Sequence, residues 1–158
     1  MTENTSKLPL TNARLLAVQT LFAQAVSGES WDKVISQALL GEMGGQVLTE
    51  DTEHETYVTL EAADSGLFTR IVQAYRDNAA AIDEAIKSSL SEKIAFDRLE
   101  LTFLCILRAG MAEFYADPTT PAPILINEYV DMARSFYDGP ETKIANGLLD
   151  RFSKVIRG

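Results

Sequence analysis

Residues 98–115 constrain the rest of the chain more than any other stretch. Leu99, Leu101, Phe103, Leu104, Ile106, Leu107, Met111 and Phe114 leave this segment apolar on nearly every side, and Asp117-Pro118, Pro121 and Pro123 stop it. A helix with so little polar surface must be enclosed by other helices, so it belongs at the centre of a bundle. Asp97 and Glu100, three residues apart, come close to a capping box at its start.

Helical periodicity continues on both sides. Leu15, Val18, Phe22 and Val26 recur at helical spacing, with Asn12, Gln19 and Gln24 opposite and Thr11 as the expected N-cap. Residues 31–43 form a second helix capped by Ser30, with Val34, Ile35, Ala38 and Leu39 as its apolar face and Gly41, Gly44 and Gly45 ending it. Residues 67–90 repeat the pattern through Leu67, Ile71, Ala74, Tyr75, Asn78, Ile82 and Ile86, and residues 91–96 read as a short turn. Two more helices follow. The one over 122–137 carries a stripe of Ile126, Val130, Ala133 and Tyr137. The one over 140–156 has Pro140 at its first position and Asp138 or Gly139 as cap. Asn146-Gly147 lies inside the last helix, where Gly costs about 1 kcal/mol against Ala; either recognition or a close helix–helix approach would account for it. Residues 44–60 are acidic, Thr-rich and aperiodic, which reads as a loop, and 58–60 is too short for a strand. The expected fold class is all-α. About seven helices form two small sub-bundles of a single domain, over about 10–90 and 91–158, tied together by the long third helix.

With 158 residues the chain can bury about 70% of its unfolded surface without staples. Its single cysteine, Cys105, rules out an internal disulfide, fits a reducing compartment, and reads as a small buried hydrophobe. No apolar run approaches the roughly 20 residues of a membrane span. The N-terminus lacks a signal-peptide core, so a cytoplasmic protein is expected. Catalysis finds no support. The only histidine, His54, lies among Asp51, Glu53 and Glu55 without a second soft ligand, so neither a metal site nor a Ser/His/Asp set can be built on it. The glycines at 41, 44 and 45 lack the Lys-Ser/Thr ending of a phosphate loop. No cofactor is expected. A net charge of −9 argues against a chain that grips nucleic acid unaided. The charge is uneven, however. Residues 1–60 hold three basic against eight acidic residues, whereas 142–158 hold Lys143, Arg151, Lys154 and Arg157 against Asp150 alone. An acidic body suits a basic protein partner.

Three segments together resemble the NusB family of transcription antitermination factors. Residues 13–22, Ala-Arg-Leu-Leu-Ala-Val-Gln-Thr-Leu-Phe, are similar to the family's first helix. Arg98-Leu99, Ile106-Leu107-Arg108-Ala109 and Glu113-Phe114 follow its central helix. Ile126-Asn127-Glu128, Ala133-Arg134-Ser135-Phe136, Lys143 and Asn146-Gly147-Leu148-Leu149-Asp150 resemble its C-terminal signature. The resemblance covers most of the chain apart from residues 27–66. It implies two helical bundles, no enzymatic activity, and binding of the single-stranded boxA segment of the ribosomal RNA leader together with ribosomal protein NusE, on the RNA polymerase elongation complex. It places Arg14, Phe22, Phe136, Lys143 and Ile144 at the RNA surface, where phosphate contacts and base stacking would hold a single strand. It places Phe103, Arg108 and Glu113 toward NusE, with Phe103 either an apolar contact there or part of a more deeply buried helix.

The chain also departs from the family. Leu10, Thr11 and Asn12 stand where many members carry arginines, with only Lys7 further out, and Ile144 replaces a phenylalanine that touches RNA. Losing about three phosphate contacts would flatten the salt dependence by about 2. The leading expectation is therefore a partner-assisted antitermination scaffold. The alternative is a NusB-fold adaptor or homodimer without RNA binding. A third reading, the NusB-like domain of ribosomal RNA methyltransferases, needs a cofactor-binding domain that these residues do not contain.

Overall fold

The structure is a computed structural model that describes residues 2–42, 46–48, 57–59, 63–90 and 94–157. His54 and its acidic neighbours, Gly44, Gly45 and residues 91–93 of the 91–96 turn lie outside the described residues. Among those described are six α-helices: α1 (Thr2–Ser27), α2 (Trp31–Gln37), α3 (Ser65–Ser89), α4 (Leu101–Ala116), α5 (Ala122–Phe136) and α6 (Glu141–Arg157). A π-helical turn, Ala38–Glu42, extends α2, and a 3-10 turn, Phe96–Arg98, precedes α4. Six helices replace the expected seven or so. One addition was not anticipated. Gln46–Leu48 (β1) pairs antiparallel with Tyr57–Thr59 (β2), Val47 opposite Val58, inside the stretch expected to be a loop. The chain divides into two compact units, Met1–Thr69 and Arg70–Gly158, and the division falls within α3.

In the first unit, α1 begins well before the expected cap, so Thr11 lies inside the helix and Pro9 is carried within it. The buried face is Ala13, Leu16, Ala17 and Leu21, with Val18 and Arg14 beside it, whereas Phe22 and Val26 are exposed. Gly28 ends α1 with φ +68°, and its N–H donates to the Gln24 carbonyl at 2.8 Å. Only glycine takes that conformation without strain. A Cβ there would meet nothing within 4 Å among the described residues, so Gly28→Ala tests the backbone. It is expected to destabilise by about 1 kcal/mol in a denaturant titration. Ser30 caps α2 as anticipated, its Oγ accepting from the Lys33 N–H at 3.2 Å, and Val34, Ile35 and Ala38 are buried. Leu39, expected on that face, is more than a third exposed because the π-helical turn rotates it away. Asp64 caps α3, its Oδ1 accepting from the Leu67 N–H at 2.9 Å.

In the second unit, α4 packs against both α5 and α6, which also pack on each other. Its residues Phe103 to Leu107 and Ala109 to Phe114 are buried, as its apolar sequence demands. The anticipated capping box does not form, because α4 begins only at Leu101 and Asp97 belongs to the 3-10 turn. Glu100 Oε1 instead accepts from the Tyr137 hydroxyl at 2.9 Å. Close helix approach occurs at Gly110. A Cβ there would come 3.0 Å from Leu149 Cδ2 and 3.2 Å from Tyr129 Cγ. After α4, the Asp117 carboxylate accepts from the backbone and hydroxyls of Thr119 and Thr120. Partial burial opposes its charge, yet these hydrogen bonds hold its carboxyl well below the usual carboxylate range. Arg157 at the end of α6 donates to the carbonyls of Asp117 and Thr120 and lies 5.0 Å over the Phe114 ring, pinning the last turn to this loop. Among the described residues no helix is long and apolar enough to cross a membrane.

Candidate nucleic-acid interface

Helix α6 has two unlike faces. Ala145, Leu148, Leu149, Phe152 and Ser153 are buried, with Phe152 edge-on to Phe114 and Tyr115 at 6.1 and 5.8 Å. Lys143, Arg151 and Lys154 are exposed. Positions 143, 147, 151 and 154 follow the i, i+4 rule, so the three cations and Gly147 line one stripe of the helix. Lys154 is also paired with Asp150 at 3.1 Å, and Arg151 Nη2 donates to the Ser89 carbonyl at 3.1 Å. The Arg151 bond joins the stripe to the end of α3.

Two hollows flank Lys143. One, of about 400 Å³, is lined by Ser88, Ser89, Leu90 and Ile94 on one side and by Lys143, Ile144, Gly147, Leu148 and Arg151 on the other. The second is bounded by Arg134, Tyr137, Pro140, Thr142 and Lys143, at the α5–α6 connection. Phe136, which precedes that connection, is 52% exposed. Tyr137 is anchored. Its ring meets Phe103 edge-on at 5.6 Å, and burial together with the bond to Glu100 pushes its hydroxyl pKa up. A cationic stripe, an exposed aromatic ring and shallow hollows form the kind of surface that holds phosphates and unstacked bases.

The residues expected at the RNA surface divide accordingly. In the second unit Phe136 and Lys143 are exposed and Ile144 is half-buried at the wall of the first hollow. In the first unit Phe22 is 38% exposed, but Arg14 is only 5% exposed. Arg14 is a buried arginine on the inner face of α1, at the position that 13-16-17-21 packing turns inward.

Of the three residues expected to face NusE, Phe103 and Glu113 need correction, because the structure buries them, whereas Arg108 is half-buried. Phe103 is 2% exposed beneath Tyr137, and Glu113 is fully buried, its Oε1 accepting from the Tyr129 hydroxyl at 2.6 Å. Arg108 makes a two-pronged pair with Asp83, Nε to Oδ1 at 2.9 Å and Nη2 to Oδ2 at 3.1 Å, and faces the rings of Tyr75 and Phe96. Burial works against its charge, but the Asp83 bonds overcome this and raise its pKa. Burial also pushes the neighbouring Cys105 thiol up to about 11, which fits the small-hydrophobe reading and not a nucleophile. The buried Phe103 and Glu113 side chains offer no docking surface. Sequence reasoning did not single out Gly110, the point of close packing, or Arg151, which the basic C-terminal run already contained.

The NusB family model matches residues 11–154. The chain belongs to the NusB family. Among relatives, the transcription antitermination protein NusB of Caulobacter vibrioides is 37% identical over 94% of this chain and 95% of its own length. That of Rhodospirillum rubrum is 35% identical over 92% and 83%. The fold is shared with NusB of T. maritima, at a TM-score of 0.67 and 23% identity over 91% of this chain and 89% of that one. It is also shared with a solved complex of the antitermination factors NusB and NusE with double-stranded RNA, at 0.61 and 19% over 92% and 96%.

Proposed function

We propose that this chain is a cytoplasmic transcription antitermination factor. It holds a boxA-type ribosomal RNA leader together with NusE and acts as a non-catalytic scaffold on the RNA polymerase elongation complex. Its NusB relatives carry that name, and a solved relative is bound to NusE and RNA. One observation carries the RNA half of the reading. In a chain of net charge −9, Lys143, Arg151 and Lys154 are exposed along one stripe of α6 beside the exposed Phe136 ring. Phosphates of a single strand lie on the stripe and Phe136 offers a stacking face. NusE supplies the positive charge that the acidic body lacks, and docks on surface other than the buried Phe103 and Glu113.

The double variant Lys143→Ala/Arg151→Ala tests this. Each lost phosphate contact on a single strand lowers the slope of log affinity against log salt by about 0.7, so the pair should flatten it by roughly 1.4. Affinity should fall at least about tenfold at low salt, with the unfolding midpoint nearly unchanged because both cations are on the surface. A double variant that binds RNA as the parent does, with the same slope, contradicts the placement.

A further inference from the structure

Tyr137 ends α5, and its side chain is held by α4. It is the C-cap residue of α5, with extended backbone, and its N–H donates to the Ala133 carbonyl at 2.9 Å. Its ring lies edge-on to Phe103, and its hydroxyl donates to Glu100 Oε1 at 2.9 Å, across 37 residues of sequence. Burial, then the Glu100 bond and the nearby Glu141 carboxylate, raise the hydroxyl pKa, so at neutral pH the group stays a donor. Glu100 is the N-cap residue of α4, yet its side chain makes no capping hydrogen bond to that helix. The helix dipole accounts for a carboxylate at this end of α4. It does not account for a phenol brought against that carboxylate from the end of α5.

The neighbouring residue supplies a reason. Phe136 is the last residue of α5 and is 52% exposed, with its ring centroid 6.3 Å from that of Tyr137. Asp138, Gly139 and Pro140, which follow Tyr137, are exposed. Helix ends fray, so a side chain in the last turn keeps one direction only where the chain beside it is anchored. Tyr137 is that anchor, and Glu100 holds its outer end.

We infer that Glu100 is a positioning residue for RNA binding: through the Tyr137 hydroxyl it holds the end of α5 so that the Phe136 ring faces outward to stack on a base. The inference rests on the RNA-binding reading above and adds to it a residue that itself touches no RNA. A binding group fixed in advance spares the ordering that binding would otherwise demand. Once released, Phe136 has to be ordered by the RNA, which should weaken binding about fivefold.

The test measures affinity for a single-stranded boxA-type RNA and the unfolding midpoint, on the full chain. Tyr137→Phe keeps the ring on Phe103 and removes only the hydroxyl. It should bind RNA about fivefold more weakly at a nearly unchanged midpoint, with the same salt slope as the parent because no phosphate contact is lost. Glu100→Ala should lose as much, and the two together no more than either alone. Glu100→Gln keeps an acceptor oxygen and should bind as the parent does. In a Phe136→Ala chain, which has no ring to position, Tyr137→Phe should cost nothing further. A lower midpoint with unchanged RNA affinity would make the bond purely structural and overturn the inference. Tighter RNA binding by both Glu100→Ala and Glu100→Gln would also overturn it, since the carboxylate would then act only by repelling phosphate. If Tyr137→Phe binds like the parent while Lys143→Ala/Arg151→Ala loses affinity, the positioning role fails and the RNA-binding reading stands. If the parent binds no single-stranded RNA with or without NusE, both fail together.

Discussion

Phe103→Ala is expected to destabilise the protein by about 3–5 kcal/mol, a large part of the stability of a domain this size. The ring is 2% exposed on the central helix and takes the edge of Tyr137 at 5.6 Å. Truncation removes its burial and leaves a cavity beneath the residue that fixes the α5–α6 connection. The loss should appear as a large drop in the denaturant midpoint, and weaker NusE or RNA binding should follow from the unfolded fraction. Phe103→Leu should recover much of the stability. A Phe103→Ala protein that unfolds like the parent but has lost NusE alone would restore the expectation that this ring faces the partner.

The second large effect concerns Arg108. Its guanidinium pairs with Asp83 through two bonds and lies 5.3 Å from the Tyr75 ring, whose hydroxyl also approaches the Asp83 carboxylate at 3.2 Å. Arg108→Met keeps much of the stem packing but leaves a half-buried carboxylate without its cation. Breaking a fully buried pair costs about 3–5 kcal/mol; here, with Asp83 partly open to water, about 2–3 kcal/mol is expected. Asp83→Asn in the same chain should recover part of it, with a coupling of roughly 1 kcal/mol or more. Strict additivity of the two substitutions would show that the pair contributes nothing.

The central helix was legible because an all-round apolar segment bounded by prolines admits one solution, and α4 is buried as that solution requires. The same property hid the meaning of Phe103 and Glu113. Family likeness pointed Glu113 toward a partner and left Phe103 between a partner contact and the core, whereas both lie on the faces of α4 that are buried. The start of α1 was misread because Thr11 makes a good cap, yet the helix runs through it and through Pro9. The β1–β2 pair was invisible because three residues on each side give no periodicity, and its partners are fixed by pairing across the chain. Asn146-Gly147 was legible as costly, with packing or recognition as its reason, and the close helix approach proves to lie at Gly110 instead. The basic stripe was legible as charge, while its alignment with Gly147 and the hollow required the structure.

The most direct measurement is a fluorescence-anisotropy titration of a boxA-type RNA at two salt concentrations, with and without the cognate NusE. The account predicts binding that weakens with salt and tightens when NusE is present. NusE that binds the chain while RNA binds under neither condition would contradict it, and would leave an adaptor with the NusB fold and no RNA function.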